Sequence, residues 1–434
     1  MLGQVPAKTN PSAFVDEPDR DMARKLKPSP LAPRGFPRLS PVPGVCLGAA
    51  ASGIRYRGRD DLMLVNLAPG TTLAGVFTSS TTASAPVEWC RKQLSGRRAR
   101  GLVVNSGNAN AFTGAVGVKA VARTAKAAAR ALGCSASEIF IASTGVIGEM
   151  LTVERIEAAL PDLAAQLSPS AWKAAANAIL TTDTFPKGAG VKTQIGGVPV
   201  TINGIAKGSG MIAPNMATML GFLFTDAKIP AGVLQKLLAE LNARSFNSIT
   251  VDSDTSTSDS VFLCATGAGK THKPVRTARD PHLQAFKEAL GAVMIDLAQQ
   301  VVRDGEGATK FVTVAISGAT SEKAARRVGL AIANSPLVKT AIAGADANWG
   351  RIVMAVGKSG ERVRRSKLDI RIGGVRITER GARDPAYREP RVARHMKGRN
   401  IAIAVDLGIG RGAATVWTCD LTHGYIDINA DYRS

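Results

Sequence analysis

Apolar residues recur three and four apart in six stretches of the chain. This period predicts helices over Val118–Leu132, Thr152–Ala165, Ser170–Leu180, Ala231–Ala243, His282–Val302 and Ser321–Asn334. Ser321, with Glu322 in the first turn behind it, reads as a helix start. Between the helices lie short β-branched runs bounded by Gly and Asn. They predict strands at Asp61–Leu67, Gly101–Asn105, Ile139–Ala142, Val198–Ile202, Met219–Phe224, Val261–Ala265, Phe311–Ile316, Leu368–Ile372, Ile401–Asp406 and Ala414–Cys419. Strands and helices alternating in this way indicate an α/β or α+β fold. No internal repeat of about 20–50 residues is present, which sets aside solenoids and propellers.

Composition narrows the class. The chain has 434 residues, 45% hydrophobic and 21% charged, enough to bury a core without metal or disulfide staples. Its five cysteines (Cys46, Cys90, Cys134, Cys264, Cys419) show no C-x-x-C spacing and read as reduced thiols of a cytoplasmic protein. No run is long and apolar enough to span a bilayer, so no membrane partner is expected. Asp16, Glu17, Asp19 and Asp21, with no apolar segment beside them, argue against a secretory signal or a transit peptide, and residues 1–30 read as a disordered tail. The formal charge of +21 would ordinarily suggest nucleic acid. Between Arg351 and Asn400 stand fifteen basic and five acidic residues, but Tyr387 is the only aromatic among them. Stacking on bases needs more, so the region reads as a solvated basic face and no nucleic-acid partner is expected.

Several motifs fail on inspection. Gly267-Ala268-Gly269-Lys270-Thr271 ends like a phosphate-binding loop, but Cys264 stands where its first glycine belongs and Pro274 blocks the required helix. Gly408-Ile409-Gly410 follows a strand and precedes another, which reads as a hairpin turn. Asp252-Ser253-Asp254 opens like a calcium loop, yet Thr257 replaces the needed Gly and Leu263 the needed Glu, so a polar strand or turn is expected there. The four histidines (His272, His282, His395, His423) have no ligand spacing, and no metal site is expected. The chemistry must run without histidine.

The segment from Lys207 to Phe224 is unlike core or ordinary loop. Gly208, Gly210 and Pro214 shape a tight approach, and Ala217 and Thr218 then lead directly into an apolar strand. Taken bare, Thr218 is a β-branched strand residue. The segment nevertheless resembles the cleavage and nucleophile motif of the ornithine acetyltransferase family, also called glutamate N-acetyltransferases. Six more blocks resemble the family in order: Asn105–Ala111, Ser143–Glu149, Thr181–Thr184, Arg303–Lys310, Asp346–Arg351 and Ile428–Ser434.

The resemblance implies a layered sheet-and-helix sandwich built from two self-cleaved chains. The cut falls between Ala217 and Thr218, giving an alpha chain over 31–217 and a beta chain over 218–434 that starts at the nucleophile. A free α-amine beside the Thr218 hydroxyl, with an unperturbed pKa of about 7.7–8.0, can serve as the base. Thr144 and Gly145 match the family's oxyanion hole; bare, they read as a turn after the strand Ile139–Ala142. The substrate-binding positions carry over to Thr181, Thr182, Lys207, Thr218, Glu306, Asn429 and Ser434, with Thr182 preferred to Thr181. Bare, Lys207 reads as a solvated turn lysine and Glu306 as a loop acid. The implied reaction carries acetyl from N2-acetylornithine to glutamate in the cyclic route of arginine biosynthesis. No cofactor is implied, and acetyl-CoA enters only as an alternative donor if the enzyme is bifunctional. The implied assembly is a heterotetramer of two alpha and two beta chains. Two positions depart from the pattern: Ser253 and Ser258 stand where the resemblance leads one to expect Gly and Asn. The rival reading is a self-processing aminopeptidase or amidase of related fold, which lacks an acceptor pocket of the kind drawn from Lys207, Glu306, Asn429 and Ser434.

Overall fold

The computed structural model describes residues 27–213 and 219–430. The mixed α/β expectation holds, and the strands form three sheets. The first runs Val45–Ala50, Leu62–Leu67, Gly101–Asn108, Ile139–Val146 in spatial order. The second runs Thr72–Phe77, Ser260–Ala265, Leu220–Thr225, Val198–Lys207, Lys187–Ile195.

Alternation along these strands shows how the layers stack, because successive side chains leave opposite faces. In the first sheet Met63, Val65, Leu102, Val104 and Phe140 pack toward the second sheet, against Phe222, Phe224 and Phe262. Their neighbours Leu62, Leu64, Val103, Ile139 and Ile141 pack on the helices Gly114–Leu132 and Val153–Ala165. The second sheet repeats the scheme, with Leu223, Val261 and Leu263 turned toward the helices Ala231–Arg244 and Gln284–Arg303. The order is helix, sheet, sheet, helix. Phe262 pins the middle: it stacks on Phe222 at 5.9 Å and meets Phe77 and Phe140 edge-on at 5.6 and 5.9 Å.

The third sheet orders Ala382–Arg383, Val375–Glu379, Asp369–Ile372, Asn400–Asp406, Phe311–Ala319 and Gly412–Cys419, with its own core of helices that include Glu322–Ala333. This arrangement corrects the hairpin reading of Gly408–Gly410. The strands on either side of that turn do not pair with each other, because Phe311–Ala319 lies between them, parallel to one and antiparallel to the other. The Ser321 cap is present, its hydroxyl accepting the Ala324 amide at 3.1 Å.

The tail reading to residue 30 is also corrected at its end. Ser29 donates its amide to Thr184 Oγ1 at 2.9 Å and its hydroxyl to the Arg303 carbonyl at 2.6 Å, and Arg399 bonds the Pro30 carbonyl. No described helix is long and apolar enough to cross a membrane.

Replacing Phe262 by alanine removes the ring common to all three contacts and leaves a cavity between the sheets. We expect Phe262→Ala to lower unfolding stability by about 3–5 kcal/mol in a denaturant titration. A loss under about 1 kcal/mol would mean that the sheets are not held together there.

Candidate active site

The antiparallel register places Lys207 opposite Leu220, and the parallel register places Leu220 opposite Ser260. Lys187 enters the adjoining strand opposite Ala206. One end of the second sheet therefore gathers Lys187, Lys207 and the start of the strand that follows Thr218. In the first sheet, Thr144 and Gly145 lie on the strand Ile139–Val146, paired with Ser106 and Gly107. The turn reading is thus corrected: both residues are extended and fixed in a ladder. Gly145 has φ +132°, and a Cβ there would stand 2.2 Å from the Gly107 carbonyl carbon, so no other residue fits.

Lys207 is 2% exposed rather than solvated. Its Nζ donates to Thr144 Oγ1 at 3.1 Å and to Thr181 Oγ1 at 2.9 Å. The next threonine, Thr182, shares a hydrogen bond with Ser209 Oγ at 2.7 Å. Ser209 in turn accepts the Glu306 amide through its carbonyl at 3.0 Å. Glu306, 7% exposed, accepts from Asn429 Nδ2 at 2.7 Å and also hydrogen-bonds Thr182. A Cβ on Gly210 would lie 2.3 Å from the Glu306 carboxylate, so glycine is what lets that carboxylate approach the backbone. Thr144, Gly145, Thr181, Thr182, Lys207, Glu306 and Asn429 thus meet in one place. Thr181 and Thr182 both belong to it, one through Lys207 and one through Glu306. Ala217, Thr218 and Ser434 lie outside the described residues.

Burial pulls the two charged groups toward neutrality. It lowers the Lys207 ammonium pKa, against the field of Asp183, and raises that of the Glu306 carboxyl, against its hydrogen bonds from Asn429 and Thr182. A ligand carrying one carboxylate and one ammonium would relieve both.

Beneath this line lies a network that sequence reading did not pick out. Lys187, 0% exposed, donates to Asp183 at 2.7 Å and to Asp304 at 2.6 Å. Asp183 also accepts the Gly208 amide at 2.6 Å and lies 3.9 Å from Lys207 Nζ. Asp304 accepts the Thr184 amide at 2.9 Å and the Thr184 hydroxyl. Burial alone would raise Asp183, but Lys187 and Lys207 hold its carboxyl well below the usual range. Asp304 faces the opposite balance, and burial pushes it up to about 6 against the pull of Lys187. The signal available in the sequence is thin: Asp183 and Asp304 lie inside the blocks Thr181–Thr184 and Arg303–Lys310, and Lys187 follows Asp183 by four positions.

The segment 251–259 is irregular, not a strand, and Asp252 explains why. Its carboxylate accepts the Met211 and Ile212 amides at 2.6 and 2.9 Å, fastening the chain shortly before Thr218. Ser253 beside it has φ +68°, in the left-handed region that glycine occupies freely, which accounts for the Gly expected there.

A model of the ArgJ family matches residues 46–434. The arginine biosynthesis bifunctional protein ArgJ of Gluconobacter oxydans is 56% identical over 96% of this chain and 97% of its own. The corresponding protein of Brucella suis is 55% identical over 94% of this chain and 99% of its own. Among solved structures, the arginine biosynthesis bifunctional protein ArgJ of Bacillus halodurans is 41% identical, covering 47% of this chain and 95% of that one with a TM-score of 0.45.

Two substitutions test this local account. Lys187→Met leaves two buried carboxylates facing each other, and denaturant unfolding should show a loss of about 3–5 kcal/mol. Stability within about 1 kcal/mol of the parent would mean the network is not what holds the site. Ser253→Gly should raise stability by about 0.5–1 kcal/mol, since relief of the left-handed strain exceeds the added entropy of the unfolded chain. A drop in the unfolding midpoint would contradict that.

Proposed function

This chain belongs to the ArgJ family, and from that premise we propose that it transfers acetyl from N2-acetylornithine to glutamate through an ester on Thr218. The chain first cuts itself. The Thr218 hydroxyl attacks the Ala217 carbonyl, the peptide bond becomes an ester, and water hydrolyses it to leave Thr218 with a free α-amine. That amine takes the hydroxyl proton when Thr218 attacks the acetyl carbonyl. Thr144 and Gly145 stabilise the oxyanion, a contribution of about 10²–10³ in rate for one such donor. Ornithine leaves with the proton, the glutamate amine attacks the ester, and N-acetylglutamate departs. The two substrates use one site in turn, a ping-pong cycle within arginine biosynthesis.

The observation that carries this reading is the continuous line from Thr144 through Lys207 to Thr181, with Glu306 and Asn429 held beside it through Thr182 and Ser209. Lys207 meets the substrate carboxylate and Glu306 its ammonium, which suits ornithine and glutamate alike. An aminopeptidase or amidase, the rival reading, delivers its acyl group to water and would not hand it to glutamate. Acetyl-CoA serves as a second donor if the enzyme is bifunctional, and the reaction needs no resident cofactor. The two fragments remain paired and associate again as a heterotetramer in the cytoplasm. Exposed Phe112, Val116, Val118, Ile147 and Met150 support that association, since the Gly148 amide on the Ala111 carbonyl ties the segment after Val146 to the loop that leads into the helix Gly114–Leu132.

Thr218→Ala removes the hydroxyl needed for both stages. We expect this variant to purify as one uncut chain with no measurable transfer between N-acetylornithine and glutamate. A cut chain, or transfer at the parent rate, would overturn the proposal.

A further inference from the structure

At the edge of the second sheet a cleft of about 920 Å³ opens between the strand Thr72–Phe77, the turn after the helix Ala85–Gln93 and the start of the helix Ala231–Arg244. Leu73 pairs with Cys264, four residues or about 13 Å along the strand from Ser260, whose neighbours in the ladder are Leu220 and then Lys207. The cleft is therefore separate from the site built on Lys207. Leu73, Leu94 and Val233 give it an apolar lining, while Arg91, Arg97, Lys236 and Arg276, all exposed, line it with positive charge. No carboxylate lines it.

Its walls are fixed from behind. The Gln235 carboxamide accepts the Gly75 amide and donates to the Gly75 carbonyl, both at 3.0 Å, which clamps the helix to the edge strand. The Thr72 hydroxyl bonds the Ile229 carbonyl at 2.8 Å just before that helix begins, and Arg91 donates to the Thr78 carbonyl. Elsewhere on the surface arginines meet acids: Arg123 pairs with Glu154 and Glu157, Arg244 with Glu322, Arg376 with Asp369. Arg97, Lys236 and Arg276 make no side-chain hydrogen bond or ion pair among the described residues. Arg97 is also placed against its own preference. A Cβ on Gly232 would lie 3.6 Å from Arg97 Nη1, so the guanidinium rests against the first turn of the helix, where the macrodipole repels a cation. Pro230, the N-cap residue, offers no side chain to cover the first amides. A general excess of basic residues leaves unpaired charges scattered; here they converge from three segments on one cleft. A multiply charged anion lying there relieves every one of these repulsions at once.

We propose that this cleft binds a polyphosphate group. The planar forks of Arg97 and Arg276 match pairs of phosphoryl oxygens, and Lys236 adds a compact charge that follows the ligand. Two sources share this chemistry, an inorganic polyphosphate and a nucleoside polyphosphate, and the apolar lining suits the nucleoside of the second. The cleft takes its ligand whatever acyl chemistry runs at Lys207.

Equilibrium dialysis of the full chain against tripolyphosphate and against ATP, without magnesium and at about 0.15 M salt, is the test. A single saturable equivalent per chain is expected, and Arg97→Glu/Arg276→Glu should weaken it at least about tenfold. Arg364→Glu/Arg365→Glu changes the net charge equally on the exposed basic face and should leave the affinity within about twofold, because salt screens charges more than about 8 Å away. ATP bound more tightly than tripolyphosphate supports the site with a nucleoside on the apolar lining; equal binding supports it as a reader of the phosphate chain alone. Absence of saturable binding to the parent overturns the proposal. So does an equal loss in both double variants, which marks bare surface charge. Should Arg97→Glu/Arg276→Glu not fold, exposed Lys236→Glu decides: a loss of at least about fivefold supports the site, and an unchanged affinity contradicts it.

Discussion

Everything at this site hangs on one buried ammonium, Lys187, held between Asp183 and Asp304. Two remote stretches must converge for it to be satisfied: residues 181–187, which run from the turn into the strand that Lys187 begins, and the helix end at Arg303. Asp183 extends the hold to Gly208, Asp304 extends it to Thr184, and Thr184 receives the Ser29 amide. A charge taken wholly out of water tolerates no vacancy among its partners. The arrangement is therefore far more rigid than the loops that contribute to it would be alone, and Lys207 and Glu306, one residue from Gly208 and two from Asp304, inherit that rigidity.

Chemistry needs the rigidity because it works with few parts. There is no histidine in the line from Thr144 to Asn429, and a base drawn from the backbone is useful only if its geometry is fixed. The flanking anchors serve this end. Asp252 fastens Met211 and Ile212 before Thr218, and Asp259 fastens Met219 after it. Lys207 and Glu306 are displaced by burial in opposite senses, each toward its neutral form. On the function proposed above, a zwitterionic amino acid restores both, and the site would favour substrates whose charges match over those missing one.

Much of this was legible before any coordinates. The helices with a clear apolar period lie where the period puts them, within a few residues, and the ordered blocks from Asn105 to Ile428 locate the residues that meet. Burial was not legible. Lys207 and Glu306 look like surface charges because nothing local tells a lysine at a strand end that a second sheet will cover it. The strand Lys187–Ile195 is not evident in the sequence because Lys192, Thr193 and Gln194 interrupt its apolar run. The turn at Gly408 looks like a hairpin because the strands it joins are adjacent in sequence, whereas in space a third, Phe311–Ala319, from about ninety residues earlier, separates them. Ser253 was noticed only as a departure, and its positive φ supplies the reason glycine belongs there.

The central claim is that acetyl rests on the chain between the two substrates. The most direct measurement is the denatured intact mass of the protein after brief exposure to N-acetylornithine, and again after glutamate is added. The account predicts two fragments divided at Ala217/Thr218, one acetyl group on the later fragment, and its disappearance with glutamate. A single uncut chain, or a cut protein that never carries acetyl, would contradict it.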